Sequence, residues 1–224
     1  MNIKERLKRW SKLRFAIIYP LSVFIVFFSV PDDRSIMSSV SFIIAGLAVR
    51  IWANGYAIKM DKLTTSGPYA FVRHPLYLGT ILIAIGFIVM LKIYLAGAMF
   101  LILMVAVYRR TIQKEENMLI KKFNGTYAAY KRKIPAVLPT VFHYKEGEKW
   151  SFSLRRLIRS QEYKVFLWVM IIMITFHLKD EFMIEHELMD SKIWFLIVIA
   201  FVLGLTDLIG ELFKKRLVKK ELIK

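Results

Sequence analysis

An arginine followed by a histidine, Arg73 and His74, stands in the stretch TSGPYAFVRHPLYLG at residues 65–79, between two strongly apolar segments. Glycine tolerates positive φ and proline lacks an N–H donor, so the Gly-Pro step at Gly67 ends a helix, and Pro75 suits the first turn of the next one. We predict a re-entrant or interfacial loop that delivers both side chains to a helix N-terminus, where free N–H groups favour an anionic ligand. The spacing alone is equally compatible with an ordinary basic loop between membrane helices.

A pair of carboxylates forms the second group of residues that could do chemistry. Residues 108–123, YRRTIQKEENMLIKKF, continue an apolar run with the spacing of an amphipathic helix. Glu115 and Glu116 are adjacent, so we expect them to point in different directions and only one of them to face a common pocket easily. Tyr127 and Tyr130 follow, three residues apart. On this segment alone, a solvated helix with ordinary Glu/Lys pairs stays open.

Composition sets the class of protein that must position these residues. The chain of 224 residues is 57% hydrophobic, yet its formal net charge is +17. Basic loops between apolar membrane helices explain this combination, whereas a nucleic-acid-binding protein would not need several long apolar runs. Cysteine is absent, and the four histidines lack metal-binding spacing. We therefore expect a membrane protein with no nucleic-acid partner and no metal site.

The apolar runs predict an all-α, polytopic fold with about six membrane helices, at 15–30, 36–58, 76–91, 94–107, 165–178 and 193–209. We divide the chain into a membrane core at 1–160, which includes a cytoplasmic segment at 108–160, and a C-terminal transmembrane hairpin with a basic tail at 161–224. Most Lys and Arg residues fall in segments that this arrangement places on one side. By the positive-inside rule, both termini and the candidate site face the cytoplasm, with a cofactor pocket between the loop and the juxtamembrane helix.

Both motifs together resemble a known family. The pattern GPYxxVRHPLYxG, followed by an apolar hairpin and EExxLxxxFxxxYxxY, resembles the isoprenylcysteine carboxyl methyltransferase family and its phospholipid methyltransferase relatives. The resemblance runs from about residue 46 to residue 139, and Arg50-Ile-Trp52-Ala matches the helix before the loop. It implies an integral membrane enzyme that holds S-adenosylmethionine at the cytoplasmic face and receives a lipophilic substrate from the bilayer.

The resemblance also implies roles for individual residues. The cofactor contacts would be Tyr69, Arg73, His74, Tyr77, Glu115 and Glu116. The catalytic candidates are Arg109, Arg110 and Glu116, and Arg50 and Trp52 would lie on the substrate side. The chain departs from the family by reading Phe123-Asn124-Gly125 where Phe-Gly is usual, and the offset of its arginines leaves the choice between Arg109 and Arg110 open.

Several functions stay open from the sequence. A lipophilic carboxylate is the favoured methyl acceptor, and it is already ionised at neutral pH, so it needs no general base. A phospholipid amine or a small thiol would need one, from His74 or a glutamate. A nicotinamide-dependent membrane reductase would need a larger cofactor cavity, and the chain has no glycine-rich dinucleotide fingerprint. A non-catalytic lipid-binding protein is the alternative outside enzymes. We expect the cytoplasmic membrane of a prokaryote and contacts with membrane lipids. The sequence does not determine the oligomeric state.

Overall fold

The structure is a computed structural model that describes residues 29, 31–58 and 62–185. Five α-helices follow one another: α1 (Asp33–Tyr56), α2 (Pro75–Met90), α3 (Tyr94–Lys133), α4 (Leu154–Ser160) and α5 (Tyr163–Glu185). A short 3₁₀ helix, Gly67–Ala70, precedes α2. The described part of the chain contains no strand, which confirms the all-α prediction there.

Part of the predicted membrane topology can be compared with these helices. Within the described residues, α1 and α3 are long and apolar enough to cross a membrane. The helix α2 and the apolar part of α5, Lys164–Phe176, are shorter than the ~20 residues that a span needs. The predicted spans at 15–30, apart from Ser29, and at 193–209 lie outside the described residues, as do the basic arm and tail. The count of six spans stays a prediction.

The helix α3 continues from the apolar run into the polar segment 108–123, as the sequence predicted, and extends to Lys133. The predicted span at 94–107 and the juxtamembrane helix form one element of 40 residues, whose length of about 60 Å carries it well beyond its apolar half. The short helix α4 was not predicted. It begins at a serine cap, where Ser153 Oγ accepts a hydrogen bond from the Arg156 N–H, and it ends at Gln161, whose φ is +59°.

A break inside α3 occurs at Asn124, whose φ of 43° and ψ of −126° are not helical. This region of backbone space strains any residue with a Cβ, and glycine adopts it freely. We therefore expect Asn124→Gly to stabilise the protein by about 1 kcal/mol, measured as a higher midpoint of thermal unfolding in detergent. The matched control is Asn117→Gly, at an exposed position in the regular part of α3, which should lower the midpoint because glycine weakens a helix by a few tenths of a kcal/mol relative to asparagine. A lower midpoint for both variants would contradict the strain at Asn124.

Close packing of α1 against α2 fixes the base of the candidate site. A Cβ built on Gly46 would come within 2.6 Å of the Gly79 carbonyl oxygen, so glycine allows the two helix backbones to touch. Ile43 and Leu47 pack beside this crossing against Ile83 of α2 and against α5. The N-terminal end of α2 is thereby held next to the C-terminal half of α1.

The segment between α3 and α4, residues 134–153, is named the connector here. It runs along the loop that precedes α2 and is tied to it by backbone hydrogen bonds. The N–H groups of Thr140 and Tyr144 each donate to a loop carbonyl, Phe71 O and Ala70 O, at 2.9 Å. Farther along, Ser66 Oγ donates to Glu148 O at 2.6 Å and accepts from the Trp150 N–H at 2.9 Å. The loop is therefore a fixed wall.

Candidate active site

A cavity of about 500 Å³ lies between the loop before α2, the first turns of α2 and the polar half of α3. Its volume falls in the range of about 300–1,000 Å³ that small-molecule sites occupy. Six of the side chains predicted from the sequence line it: Arg50, Tyr69, Arg73, His74, Tyr77 and Glu115. The loop and α3 motifs, distant in sequence, thus meet at one cavity, as the sequence predicted.

Backbone contacts with the connector hold Arg73 and His74 in place. The Arg73 N–H donates to Pro135 O, and the His74 N–H donates to Ala136 O, both at 2.9 Å. His74 also occupies the cap position of α2, and its side chain makes no capping hydrogen bond. Because the connector holds the backbone from the side away from the cavity, both side chains are buried and point towards α3.

The two carboxylates approach His74 from opposite edges of its ring. Glu115 Oε2 lies 3.5 Å from His74 Nδ1, and Glu116 Oε1 lies 3.4 Å from His74 Nε2. As the sequence predicted, the two carboxylates point in different directions and only one of them, that of Glu115, lines the cavity. The imidazole lies between them because it has a nitrogen on each edge of its ring. Glu115 also accepts a hydrogen bond from the Tyr77 hydroxyl at 2.7 Å.

Glu116 is buried behind the cavity wall and holds that wall together. Its Oε1 lies 2.5 Å from Arg73 Nη1, and its Oε2 lies 2.7 Å from Lys131 Nζ. Its side chain is 5% exposed and is not among those that line the cavity, whereas that of Glu115 is 40% exposed and does line it. In this arrangement, Glu116 acts on a ligand through Arg73 and His74.

Buried polar atoms without hydrogen bonds converge at the same place. Within the part of the chain that the structure describes, no group is in hydrogen-bonding geometry with Arg73 Nε and Nη1, His74 Nε2, Glu116 Oε1 or the Tyr127 hydroxyl. The close Arg73–Glu116 contact is thus an ion pair whose N–H is not aligned with the oxygen. Buried polar groups are nearly always hydrogen-bonded, so such a cluster beside a cavity indicates a polar ligand.

The charges of the site are set by burial and by these pairs. His74 is the main cause that lowers the pKa of Glu115, with help from the Tyr77 hydroxyl. Burial opposes ionisation of Glu116, but Lys131 and Arg73 outweigh it, and its pKa is also lowered. Burial raises the pKa of Tyr127 to about 12 and also raises that of Tyr69. At neutral pH, the wall therefore carries carboxylates, an arginine and uncharged phenols.

Three of the predicted residues, Arg109, Arg110 and Trp52, lie outside the cavity. Arg109 and Arg110 are exposed on α3 and do not line the cavity, because the helix turns by about 100° per residue away from its neighbour Tyr108, which does. Trp52 is partly exposed on α1 and also stays outside the cavity, with its ring centroid 6.4 Å from that of Phe71. Arg50 lines the cavity, but its guanidinium is engaged by Glu162.

Several residues of the site were not predicted as such. The Tyr108 ring centroid lies 4.5 Å from that of Tyr77, at the cavity. Tyr130 donates from its hydroxyl to the Tyr69 carbonyl, and Lys131 pairs with Glu116. Tyr108 stands seven residues before Glu115, a helical spacing that could have revealed it. Nothing in the sequence pattern relates Glu162, which comes from the turn before α5, to Arg50.

Comparison with known proteins supports the resemblance. Residues 39–121 match the sequence model of the isoprenylcysteine carboxyl methyltransferase (ICMT) family. A protein-S-isoprenylcysteine O-methyltransferase of Schizosaccharomyces pombe is 32% identical over 83 residues, which are 37% of this chain and 35% of that protein. The rat protein of the same name is 36% identical over 85 residues, 38% of this chain and 30% of its own length.

A bacterial protein is also similar. The cobalt-zinc-cadmium resistance protein CzcN of Cupriavidus metallidurans is 29% identical over 113 residues, 50% of this chain and 52% of that protein. The chain thus spans about a third to a half of the length of these relatives. No solved structure matches it. The matched region contains the loop, α2 and both glutamates, and it ends before Tyr127 and the connector.

Proposed function

We propose that this chain, whose residues 39–121 are similar to the isoprenylcysteine carboxyl methyltransferase family, is an integral membrane methyltransferase that uses S-adenosylmethionine. Its acceptor would be the carboxylate of a lipophilic, isoprenylcysteine-like molecule, which is the substrate class in the names of its similar eukaryotic relatives. The site would face the cytoplasm, with the acceptor arriving from the membrane.

One observation carries this proposal. Arg73 and His74 are buried at the N-terminal end of α2 with side-chain nitrogens that form ion pairs but no aligned hydrogen bond, beside a cavity that is also lined by the half-exposed carboxylate of Glu115. A ligand with an anionic group near Arg73 and a cationic group near Glu115 would complement this wall. S-adenosylmethionine has both, because its amino-acid end carries a carboxylate and its sulfur carries a positive charge.

Different residues of the wall would bind different parts of the cofactor. Arg73 would bind the cofactor carboxylate, aided by His74 Nε2 and the dipole of α2. Glu115 and the paired rings of Tyr77 and Tyr108 would face the positive charge, which both carboxylates and aromatic faces attract. Bound S-adenosylmethionine supplies a methyl group on a sulfonium, and its transfer to an acceptor oxygen breaks one C–S bond, forms one C–O bond and leaves a neutral thioether.

Such a transfer asks the protein to align the two reactants and to keep water away. An acceptor carboxylate enters already ionised, so no residue has to remove a proton from it. We propose that Arg50, which lines the cavity, lies on the acceptor side, and that Arg109 and Arg110 on the exposed face of α3 meet the acceptor as it enters. Glu116 would be a positioning residue for Arg73 and His74.

Methyl transfer from labelled S-adenosylmethionine tests this function. The purified protein in lipid vesicles should label S-farnesylcysteine and should not label its methyl ester, because the ester has no free carboxylate. Phosphatidylethanolamine and a small alkyl thiol are the comparison acceptors. Labelling of either one in preference to S-farnesylcysteine would overturn the carboxylate assignment, and no labelling of any acceptor by a folded sample that binds the cofactor would overturn the catalytic proposal.

A second prediction concerns the charge of Glu115. Replacing it with glutamine should weaken S-adenosylmethionine binding about tenfold, because a charged partner in a hydrogen-bonded site contributes about 1.5–3 kcal/mol. S-adenosylhomocysteine is neutral at sulfur, so its affinity should change much less. Calorimetric titration of both ligands measures the ratio. The matched control is Glu146→Gln, which removes the same charge from an exposed pair with Lys133 and should leave the ratio unchanged. Equal losses for both ligands in the Glu115 variant would contradict a role at the sulfonium.

A further inference from the structure

The connector presents an unusual apolar surface at residues 138–145, named the connector tip here. Leu138 is 76% exposed, Val141 is 88% exposed and Phe142 is 83% exposed. The flanking backbone is anchored to the loop through Thr140 and Tyr144, so these side chains are held outward by the fold. A cluster of large apolar side chains at this level of exposure marks a surface that binds something apolar.

The position of the connector tip relates it to the apolar helices. Trp52 is exposed near the C-terminal end of α1, on the helix side that also exposes Ile51 and other apolar residues. Its ring centroid lies 6.4 Å from that of Phe71, which in turn lies 6.2 Å from the ring of His143 in the connector tip. Exposed tryptophans at the ends of membrane helices sit at the level of the lipid headgroups. This row of rings therefore brings the connector tip to that level.

The net charge around the connector tip indicates which kind of surface it binds. Between residues 131 and 159, Lys and Arg far outnumber the acidic residues, which are Glu146 and Glu148 alone. Lys145 is exposed three residues after Phe142, and Lys133 forms an exposed ion pair with Glu146. Apolar side chains that are flanked by basic ones are typical of segments that lie in the interface of an anionic membrane.

We propose that the connector tip docks on an anionic lipid surface, with Leu138, Val141 and Phe142 inserted at the boundary of headgroups and acyl chains. The same connector supplies Pro135 O and Ala136 O to the backbone of Arg73 and His74. Docking would thus fix the cavity wall at a constant depth relative to the lipid. The proposal does not depend on the chemistry of the site.

The absence of cysteine makes a direct test simple, because a single introduced cysteine can be labelled alone. The full chain with Phe142→Cys, labelled with an environment-sensitive fluorophore, is reconstituted in vesicles of phosphatidylcholine with or without phosphatidylglycerol. The control is Lys121→Cys, exposed on the polar half of α3. We expect a blue-shifted label at 142, several-fold less quenching by iodide than at 121, strong quenching by nitroxide lipids, and a larger effect with phosphatidylglycerol.

Three results would overturn the proposal. Equal iodide quenching at 142 and 121 would mean that the connector tip faces water. Protection from iodide without quenching by nitroxide lipids would mean that protein covers it, either a second copy or another partner. Identical signals in both vesicle compositions would remove the requirement for anionic lipid.

Discussion

Replacing Arg73 with alanine is expected to weaken the binding of both S-adenosylmethionine and S-adenosylhomocysteine about 100-fold or more. Charge-assisted hydrogen bonds contribute about 1.5–3 kcal/mol each, and two nitrogens of Arg73 are buried without hydrogen-bond partners at the cavity. The affinities for both ligands should fall by the same factor, because Arg73 would bind the carboxylate that the two ligands share. This pattern differs from the one expected for Glu115, where only the charged sulfur is affected.

The matched control is Arg132→Ala, which removes the same charge from an exposed position on α3 and should leave both affinities unchanged. Loss of Arg73 also removes one of the ion-pair partners of the buried Glu116, so the variant should unfold at a lower temperature. Thermal unfolding is therefore recorded on the same samples, and titration is done well below the midpoint. Undiminished affinity of a folded Arg73→Ala protein would remove Arg73 from the ligand site.

Replacing Glu162 with alanine is expected to give the largest loss of stability, about 3–5 kcal/mol, because breaking a buried ion pair leaves a charge without compensation. Arg50 and Glu162 are 16% and 8% exposed and form a two-pronged contact, in which Arg50 Nη2 donates to Glu162 Oε2 at 3.1 Å. The Asn54 side-chain amide donates to the same oxygen at 3.0 Å. Thr80 Oγ1 of α2 accepts from Arg50 Nη1 at 2.6 Å, so the pair joins α1, α2 and the start of α5.

Two further variants distinguish the loss of the buried ion pair from a nonspecific loss of stability. Glu148→Ala breaks the Lys62–Glu148 pair, whose side chains are both exposed, and should cost less than about 1 kcal/mol. The double variant Arg50→Met with Glu162→Leu replaces the buried pair by apolar groups and should recover most of the stability. The unfolding midpoint in detergent measures all of them. Equal effects of Glu162→Ala and Glu148→Ala would show that the buried pair does not hold α5 to the core.

The sequence could predict the features that depend on local chemistry. The Gly-Pro step at Gly67 predicted a break in the chain, and the structure has φ of +61° there, followed by a 3₁₀ turn. The proline at 75 predicted the start of α2, which begins at that residue. The 3–4 spacing in α3 predicted one shared face for Arg109, Ile112, Glu116, Leu119 and Phe123. Ile112 and Glu116 are both buried, but Arg109 is exposed.

The features that depend on distant contacts could not be predicted. Glu162 lies 112 positions from Arg50 in the sequence, and no periodicity relates the two. The sequence of the connector is polar and charged, with no pattern that indicates a contact. Only the structure shows that it binds the backbone N–H groups of Arg73 and His74. The sequence predicted that Glu115 and Glu116 point in different directions, but it could not predict which one lies at the cavity. Glu116 lies behind the cavity wall because Lys131 and Arg73 bind it there.

The most direct test of the central claim is calorimetric titration of the purified full chain with S-adenosylmethionine and S-adenosylhomocysteine, alongside a His74→Ala variant. We predict saturable binding of both ligands at one site per chain, and a large loss of both affinities in the variant. A reduced nicotinamide dinucleotide in the same cell should give no heat of binding. Binding of the dinucleotide, with none of the two adenosyl ligands, by a folded protein would contradict the assignment of this cavity to a methyl donor.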